Sequence, residues 1–479
     1  MDIKKRLVLI LVLISTITLL VIAGLVVVLT DSAQGFSTDF DINYTSGYKI
    51  SFDIAGASNQ SSFETITFSD TFTIESEPEL PQIHNQSLDA WYTDADFTNE
   101  AIFPLTVNNE SITLYPKFVE GTISDWIEWN SNGYYQVKSG QYTGTETNIV
   151  IPDYFDDGIN GLNAVTTLAG SSSFAFLYYN TSVTDLWIGN NIQAIPTYFA
   201  NYATALKSIT IGKGVVSIAN YAFDYVTNAT ALNYNPVSCT TISDTNFKEF
   251  GNNGAGVTLS IGSSVTTLAD RLFYAGYTGS GSVQTIIPHA KFVGSIIIPD
   301  SVIYIGTHVF YCSQYVTHLT IGKGVKSIGY DAFWDMRRLE SIQFNATECE
   351  DLDFCSYVFY RAGLNSGAIS LNIGANVKRI PMYAFYPYSG NSSSCPRITY
   401  VSFEDNSVCV EIGAEAFRYC TYITGIDFGT NIYGWYRTYT NSSGTTYTYN
   451  LTETEMSNPS TMKSYIVSNY SSYTFKRNM

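Results

Sequence analysis

The chain has 479 residues, enough for several domains or one long repeat array, and it carries a formal net charge of −18 with only 14% charged residues. Nothing in it supplies a basic stripe for phosphates, which excludes nucleic acid as a partner. Its polar surface is left to Tyr, Ser, Thr and Asn, a palette that serves contact surfaces and equally a merely soluble exported one.

Lys4, Lys5 and Arg6 precede an uncharged run from Leu7 to Leu29. As a helix rising ~1.5 Å per residue this run reaches ~35 Å, enough to cross a bilayer. It exceeds the ~7–15-residue core of a cleaved signal peptide, and Asp31-Ser32-Ala33 makes a poor cleavage site. Residues 1–30 therefore read as a cytoplasmic stub and a transmembrane signal-anchor, with a cleaved signal as the alternative. The basic side stays inside, so the chain from Asp31 onward lies at the cell surface, and the partner of residues 7–29 is the cell's own membrane.

After a linker (31–43), residues 44–120 alternate apolar and polar side chains in YKISFDI, FETITF and SITLYPKF, which predicts a small antiparallel β module. The pairing of AWYTDADF (Ala90 to Phe97) with SITLYPKF (Ser111 to Phe118) resembles the internalin-type B repeat. Asn85, Ala90 and Phe118 stand where that family has two glycines and a Trp. The resemblance implies a β-grasp-like spacer. Residues 121–160 follow, with two strand-like runs on either side of Ser139-Gly140, and read as a capping hairpin over the open end of what comes next.

What comes next, over 161–431, is a repeat. LKSITIGKGVVSIANYAF (Leu206 to Phe223) returns as HLTIGKGVKSIGYDAF (His318 to Phe333). Counting from Gly212 and Gly322, each copy has Val at +3 (Val215, Val325), Ile at +6 (Ile218, Ile328) and Phe at +11. Units marked by Gly262, Pro299 and Gly374 keep this spacing, and the one marked by Gly189 reaches Phe199 a residue early. Degenerate copies run from Leu232 to Phe250 and from Leu339 to Phe359, and Val165 to Phe176 forms an opening copy. Roughly eleven coils result, each a short strand, a turn and a return limb that can bury its apolar face only against its neighbours.

The Ile-x-Ile head and the recurring Ala-Phe pairs (Ala222-Phe223, Ala332-Phe333, Ala384-Phe385, Ala416-Phe417) resemble the BspA-like surface leucine-rich repeats, over about Asn160 to Asn431. The expected fold class is a repeat solenoid: a leucine-rich repeat array with parallel strands, preceded by a transmembrane helix and a small β-rich, β-grasp-like module. Strand residues alternate faces, so a candidate ligand face collects Trp187, Thr210, Thr258, Ser260, Ile297, His318, Thr320, Gln343 and Asn372, with Trp187 as its anchor. Residues 432–479 read as a C-terminal cap, in which Asn458-Pro459 starts a helix carrying Met462, Ile466 and Tyr470 on one face.

Catalytic chemistry is not signalled. The four histidines, His84, His289, His308 and His318, lie in no hydrolase, zinc or P-loop motif. Asp39, Asp41 and Asn43, and Asp94, Asp96 and Asn99, hint at calcium loops but lack the required Gly and Glu; Asp156 and Asp157 read as turn residues. No cofactor or metal is expected. The seven cysteines include Cys312 and Cys420 at the AFxxC core place, too far apart to bridge, while Cys349 with Cys355, or Cys395 with Cys409, could close locally. The expected function is recognition or adhesion toward an extracellular protein or glycan ligand, the alternative being a structural envelope spacer or a self-associating surface layer.

Overall fold

A computed structural model describes residues 47–478 except 171–174, 244, 275–276, 279–284, 287–289, 354, 388–393 and 468–472. The anchor expected over residues 7–29, His289 and the Asp39/Asp41/Asn43 loop lie outside the described residues. Among the described residues no helix is long and apolar enough to cross a membrane. Two compact units are present: one runs to Gln82 and takes in Leu88–Phe118, the other comprises Ile83–Ser87 and Val119–Met479.

In the first unit four strands lie side by side in the order Ile66–Phe68, Tyr48–Phe52, Ile112–Glu120, Gln86–Tyr92. The sheet is mixed rather than antiparallel throughout: Ile50 pairs in parallel with Ile112, and Phe52 with Leu114. Ile50, Leu114, Leu88 and Trp91 are buried, and Phe52 and Phe63 pack on the Trp91 ring at 5.9 and 5.7 Å. Asp94 closes a loop here, accepting from the N–H groups of Thr98 (3.0 Å) and Asn99 (2.7 Å). Those donors lower its pKa and mark it as a turn residue.

The second unit is a parallel solenoid. Its main ladder has five strands, Asn148–Val150, Asp185–Ile188, Ser208–Ile211, Ala231–Tyr234 and Thr258–Ile261, and then six more from Gly294–Ile298 to Gly425–Asp427. The register is strict across the well-matched coils, with Leu186, Ile209, Leu232 and Leu259 in one row and Ile188, Ile211, Tyr234 and Ile261 in another. A second row of two-residue strands runs along the return limbs, including Ile195 to Ile218 and Leu268 to Ile305 to Ile328. Burial of the inward Ile, Val and Leu side chains is essentially complete, and it is this apolar area that holds coils no single one of which could fold alone.

The repeat's glycine has a steric reason. A Cβ built on Gly212 would lie 2.5 Å from the carbonyl oxygens of both Ile188 and Gly189 in the preceding coil. Backbones stack there more closely than a side chain permits.

The phenylalanines form a spine. Phe176, Phe199, Phe223, Phe247, Phe273, Phe310, Phe333, Phe359, Phe385 and Phe417 touch in sequence, at centroid distances between 5.1 and 6.4 Å. In the degenerate coil expected to end at Phe250, the spine slot is filled by Phe247, and Phe250 packs edge-on against it at 5.2 Å.

Both ends differ from expectation. The leading hairpin pairs Ile127–Asn130 with Tyr134–Val137, and it turns at Gly133 (φ +93°) rather than at Ser139-Gly140. The run expected as the hairpin's second strand, Asn148–Val150, is instead the first strand of the main ladder, pairing with Asp185–Trp187. At the other end the helix Pro459–Ile466 is capped by Asn458, which accepts from Thr461 N–H, and Met462 is buried; Tyr470 lies outside the described residues. The Tyr/Thr-rich tail also forms strands. Tyr473–Arg477 pairs with Glu411–Ile412 and with Trp435–Thr440, which pairs in turn with Thr446–Asn450.

Candidate recognition faces

Outward positions of the main ladder fall in two columns. One runs Trp187, Thr210, Asn233, Ser260 and, after the break in the ladder, Ile297, Thr320, Gln343, Asn372, Ser402. The other includes Ser208, Ala231 and Thr258, then His318, Ser341, Ser370 and Tyr400. Strand alternation thus brings all nine expected residues to one sheet face, but their surroundings divide them.

At the upstream end the face is closed. Trp187 is half-buried, and its indole Nε1 donates to Ser87 Oγ at 2.9 Å, which donates to the buried Asp153 carboxylate at 2.9 Å. Thr210, expected to face solvent, is only 5% exposed. Its register places it between Trp187 and Asn233, and its Oγ1 accepts from Asn233 Nδ2 at 3.0 Å. Large neighbours in the adjacent coils have covered a small side chain.

The downstream end is tied together. Glu404 Oε1 accepts from Gln343 Nε2 (2.9 Å) and Asn372 Nδ2 (3.0 Å), its Oε2 accepts from Ala375 N–H (3.0 Å), and Asn372 also donates to Gln343 Oε1 (2.6 Å). Gln343 and Asn372 are half-buried and committed to one another. Between these ends the face is open. Thr258, Ser260 and His318 are exposed, Thr320 is half-buried, and Ile297 is 60% exposed. His318 Nδ1 lies 2.7 Å from Thr317 Oγ1.

A second face escaped the strand-alternation argument. On the turns around the Phe spine, Tyr179, Tyr202 and Tyr225 stack at 4.7 and 4.3 Å with interplanar angles of 1° and 7°, and Lys248 Nζ sits 5.0 Å from the Tyr225 ring. Tyr198 and Tyr221 stack beside them at 5.1 Å. All five tyrosines have φ between +56° and +62°, a left-handed conformation unusual for residues with a Cβ. Successive coils hold it in place: Tyr202 N–H donates to Asp224 O and Tyr225 N–H to Lys248 O. Farther along, Tyr311, Trp334 and Tyr360 continue the pattern at 5.7 and 3.8 Å. The signal in the sequence was the aromatic that follows each Ala-Phe pair within two residues, joined in NYAFDY and MYAFY by one before it.

Two carboxylates lie buried under this flank. Asp224 Oδ1 accepts Lys248 N–H, while its Oδ2 has no hydrogen-bond partner among the described residues, and burial pushes its pKa up to about 6. Asp335 is compensated instead, by Arg337 (2.9 Å), Arg361 (3.2 Å) and Gln314 (2.8 Å).

All seven cysteines are free thiols, and all but Cys355 are buried; burial pushes Cys349 and Cys409 up to about 12. Cys420 fills the AFxxC place, but Cys312 sits one residue earlier, in the left-handed slot (φ +59°) aligned with Asp335. His84 Nδ1 accepts Asp156 N–H at 3.0 Å, and Asp157 caps a turn for Ile159 and Asn160. His308 Nε2 lies 3.2 Å from Asp331. Among the described residues no three His, Cys, Asp or Glu side chains converge as a metal site.

A family model for the BspA type leucine-rich repeat region matches six copies, over residues 171–287, 289–389 and 356–474. Solved structures with similar folds include a leucine-rich cell surface protein from Faecalibacterium prausnitzii A2-165 (21% identity, 64% of this chain and 75% of that one, TM-score 0.30). A leucine-rich repeat protein from Bacteroides ovatus is 14% identical over 64% of this chain and 70% of its own, with a TM-score of 0.31. The pneumococcal vaccine antigen PcpA is 15% identical over 59% and 86%, with a TM-score of 0.21. No protein with a curated description matches.

Proposed function

This chain belongs to the BspA-type leucine-rich repeat proteins, and from that premise we propose that it is a non-enzymatic cell-surface recognition protein. Residues 7–29 hold it in the membrane with the solenoid outside, and the β-grasp-like module of residues 44–120 acts as its spacer. The ligand is an extracellular protein or glycan. The reading is carried by the open middle of the strand face, where the end of one hydrogen-bonded ladder presents Thr258 and Ser260 and the start of the next presents Ile297, His318 and Thr320. Neutral hydroxyls and an imidazole there surround one exposed aliphatic side chain, Ile297. Such a patch gains most when a partner removes Ile297 from water, and its hydroxyls cost far less to desolvate than charges would. Ile297, rather than the half-buried Trp187, is the anchor in this reading. Trp187, bonded to Ser87, Thr210, bonded to Asn233, and Gln343 and Asn372, bonded to one another, support the face.

The test is retention of beads coated with the full chain on a panel of purified extracellular proteins and glycans. Ile297→Asp should reduce retention on at least one of them ten-fold or more, with thermal unfolding unchanged. Equal retention of parent and variant across a panel that does bind the parent would remove the strand face from the proposal. A parent chain that binds nothing on the panel favours the envelope-spacer reading.

A further inference from the structure

The outermost strand of the C-terminal cap, Thr446–Asn450, lies at the edge of a five-stranded sheet, and no described strand pairs with its outer side. All five of its residues are exposed. Edge strands in soluble proteins are ordinarily protected by Lys, Pro or a bulge; this one, Thr-Tyr-Thr-Tyr-Asn, has none of these, and its Thr and Tyr residues have strong strand preference.

Its hydrogen-bond phase shows which backbone groups are unused. Leu451 N–H donates to Trp435 O and Asn441 N–H to Thr445 O. With the antiparallel register Thr438↔Thr448, the odd-numbered residues turn their backbone polar groups toward the partner strand. Thr446, Thr448 and Asn450 therefore direct theirs outward.

We infer that this edge pairs with the same edge of a second copy of the chain, antiparallel about Thr448. That register sets Thr448 opposite Thr448 and Thr446 opposite Asn450 as hydrogen-bonded pairs, with Tyr447 opposite Tyr449. The intrachain hairpin already uses the same chemistry: Thr438 faces Thr448, Tyr439 faces Tyr447, and the hydroxyls of Thr440 and Thr446 lie 2.9 Å apart. The pairing also continues an aromatic face that now stops at the edge. Tyr439 packs on Tyr447 and Tyr473, Tyr449 packs on Tyr473, and Tyr447 and Tyr449 remain 45% and 44% exposed. Charge favours a copy over a foreign strand. The chain is strongly acidic, yet Arg437 is the sole charge in Trp435–Asn450, and it is stacked over Tyr449, Tyr465 and Tyr473. Two copies thus meet at a place where neither repels the other.

The test is the mass of the full chain, solubilised in mild detergent, by sedimentation with bound detergent accounted for. Thr448→Pro deletes an outward N–H that the hairpin does not use, Thr448→Lys sets like charges opposite one another, and Thr448→Val leaves backbone and shape in place. The parent and Thr448→Val should have twice the mass of a single chain at micromolar concentration, and Thr448→Pro and Thr448→Lys half of that with unchanged thermal unfolding. If Thr448→Pro fails to fold, Thr448→Lys decides. A parent that stays monomeric overturns the inference and leaves the edge to a strand from another protein; a dimer that survives Thr448→Lys overturns it as well.

Discussion

The indole of Trp187 is hydrogen-bonded to the hydroxyl of Ser87, a residue one hundred positions away in the chain, with Nε1 to Oγ at 2.9 Å. That single bond changes the meaning of the most conspicuous aromatic on the strand face. A Trp offered to a ligand and a Trp holding its own molecule together respond differently to substitution. Trp187→Phe keeps most of the ring and loses the bond, so it should lower the unfolding free energy by about 1 kcal/mol, read from denaturant midpoints, and leave ligand retention per folded molecule unchanged. A loss of retention without a loss of stability would return Trp187 to the ligand.

Phe333 is fully buried between Phe310 at 5.8 Å and Phe359 at 5.2 Å. Phe333→Ala removes a ring from the middle of a continuous stack that cannot close up without shifting its coils. The expected cost is about 3–5 kcal/mol, measured by urea unfolding; a cost below ~1 kcal/mol would mean that the slot collapses freely.

Gly212→Ala places a methyl group 2.5 Å from two carbonyl oxygens of the preceding coil. Neither is the tip of a movable side chain, so the backbone itself must shift. A loss of about 1–3 kcal/mol is expected, in contrast to the small effect of Ala at an ordinary exposed glycine.

Asp224 gives a pH signature of unusual sign. Burial raises its folded-state pKa to about 6, above the 3.8 of a solvent-exposed aspartate. Between these two values the folded chain binds more protons than the unfolded one, so this group makes stability fall as pH rises from about 4 to 6. Below the window both states are protonated and the penalty is absent; above it the penalty is complete. Asp224→Asn should abolish that part of the slope and be more stable than the parent at pH 8, by about 1–3 kcal/mol. Parallel pH profiles for the two proteins would show that the carboxylate is relieved by solvent.

Much of the array was legible in the sequence because its reasons are local. Ile-x-Ile alternation, the glycine that ends strands such as those at Gly212 and Gly322, and the Phe at a fixed offset are each set within one coil, and they place Ile209, Ile211, Val215, Ile218 and Phe223 correctly in the core. The misplacements in the Phe spine and on the strand face involve neighbours that spacing alone does not reveal. Phe247 and Phe250 both follow the strand at a usable distance, and only the rings above and below select Phe247. Thr210 alternates outward as it should, yet Asn233 and Trp187, one coil away on either side, cover it. The tyrosine flank rests on left-handed turns, which no hydrophobic period reports.

The break in the main ladder gives the solenoid one rung unlike the rest. Between Thr258–Ile261 and Gly294–Ile298 the strand side is joined, among the described residues, by a single bridge, Val257 to Phe292, where neighbouring rungs carry four-residue registers such as His318–Ile321 with Ser341–Phe344. On the opposite side Leu268 still pairs with Ile305, and Phe273 still touches Phe310. Tension applied along the axis therefore meets a fastening that is weak in front and strong behind. The array yields there by bending open like a book on its spine, and the exposed Ile297 stands on the edge of the page that turns.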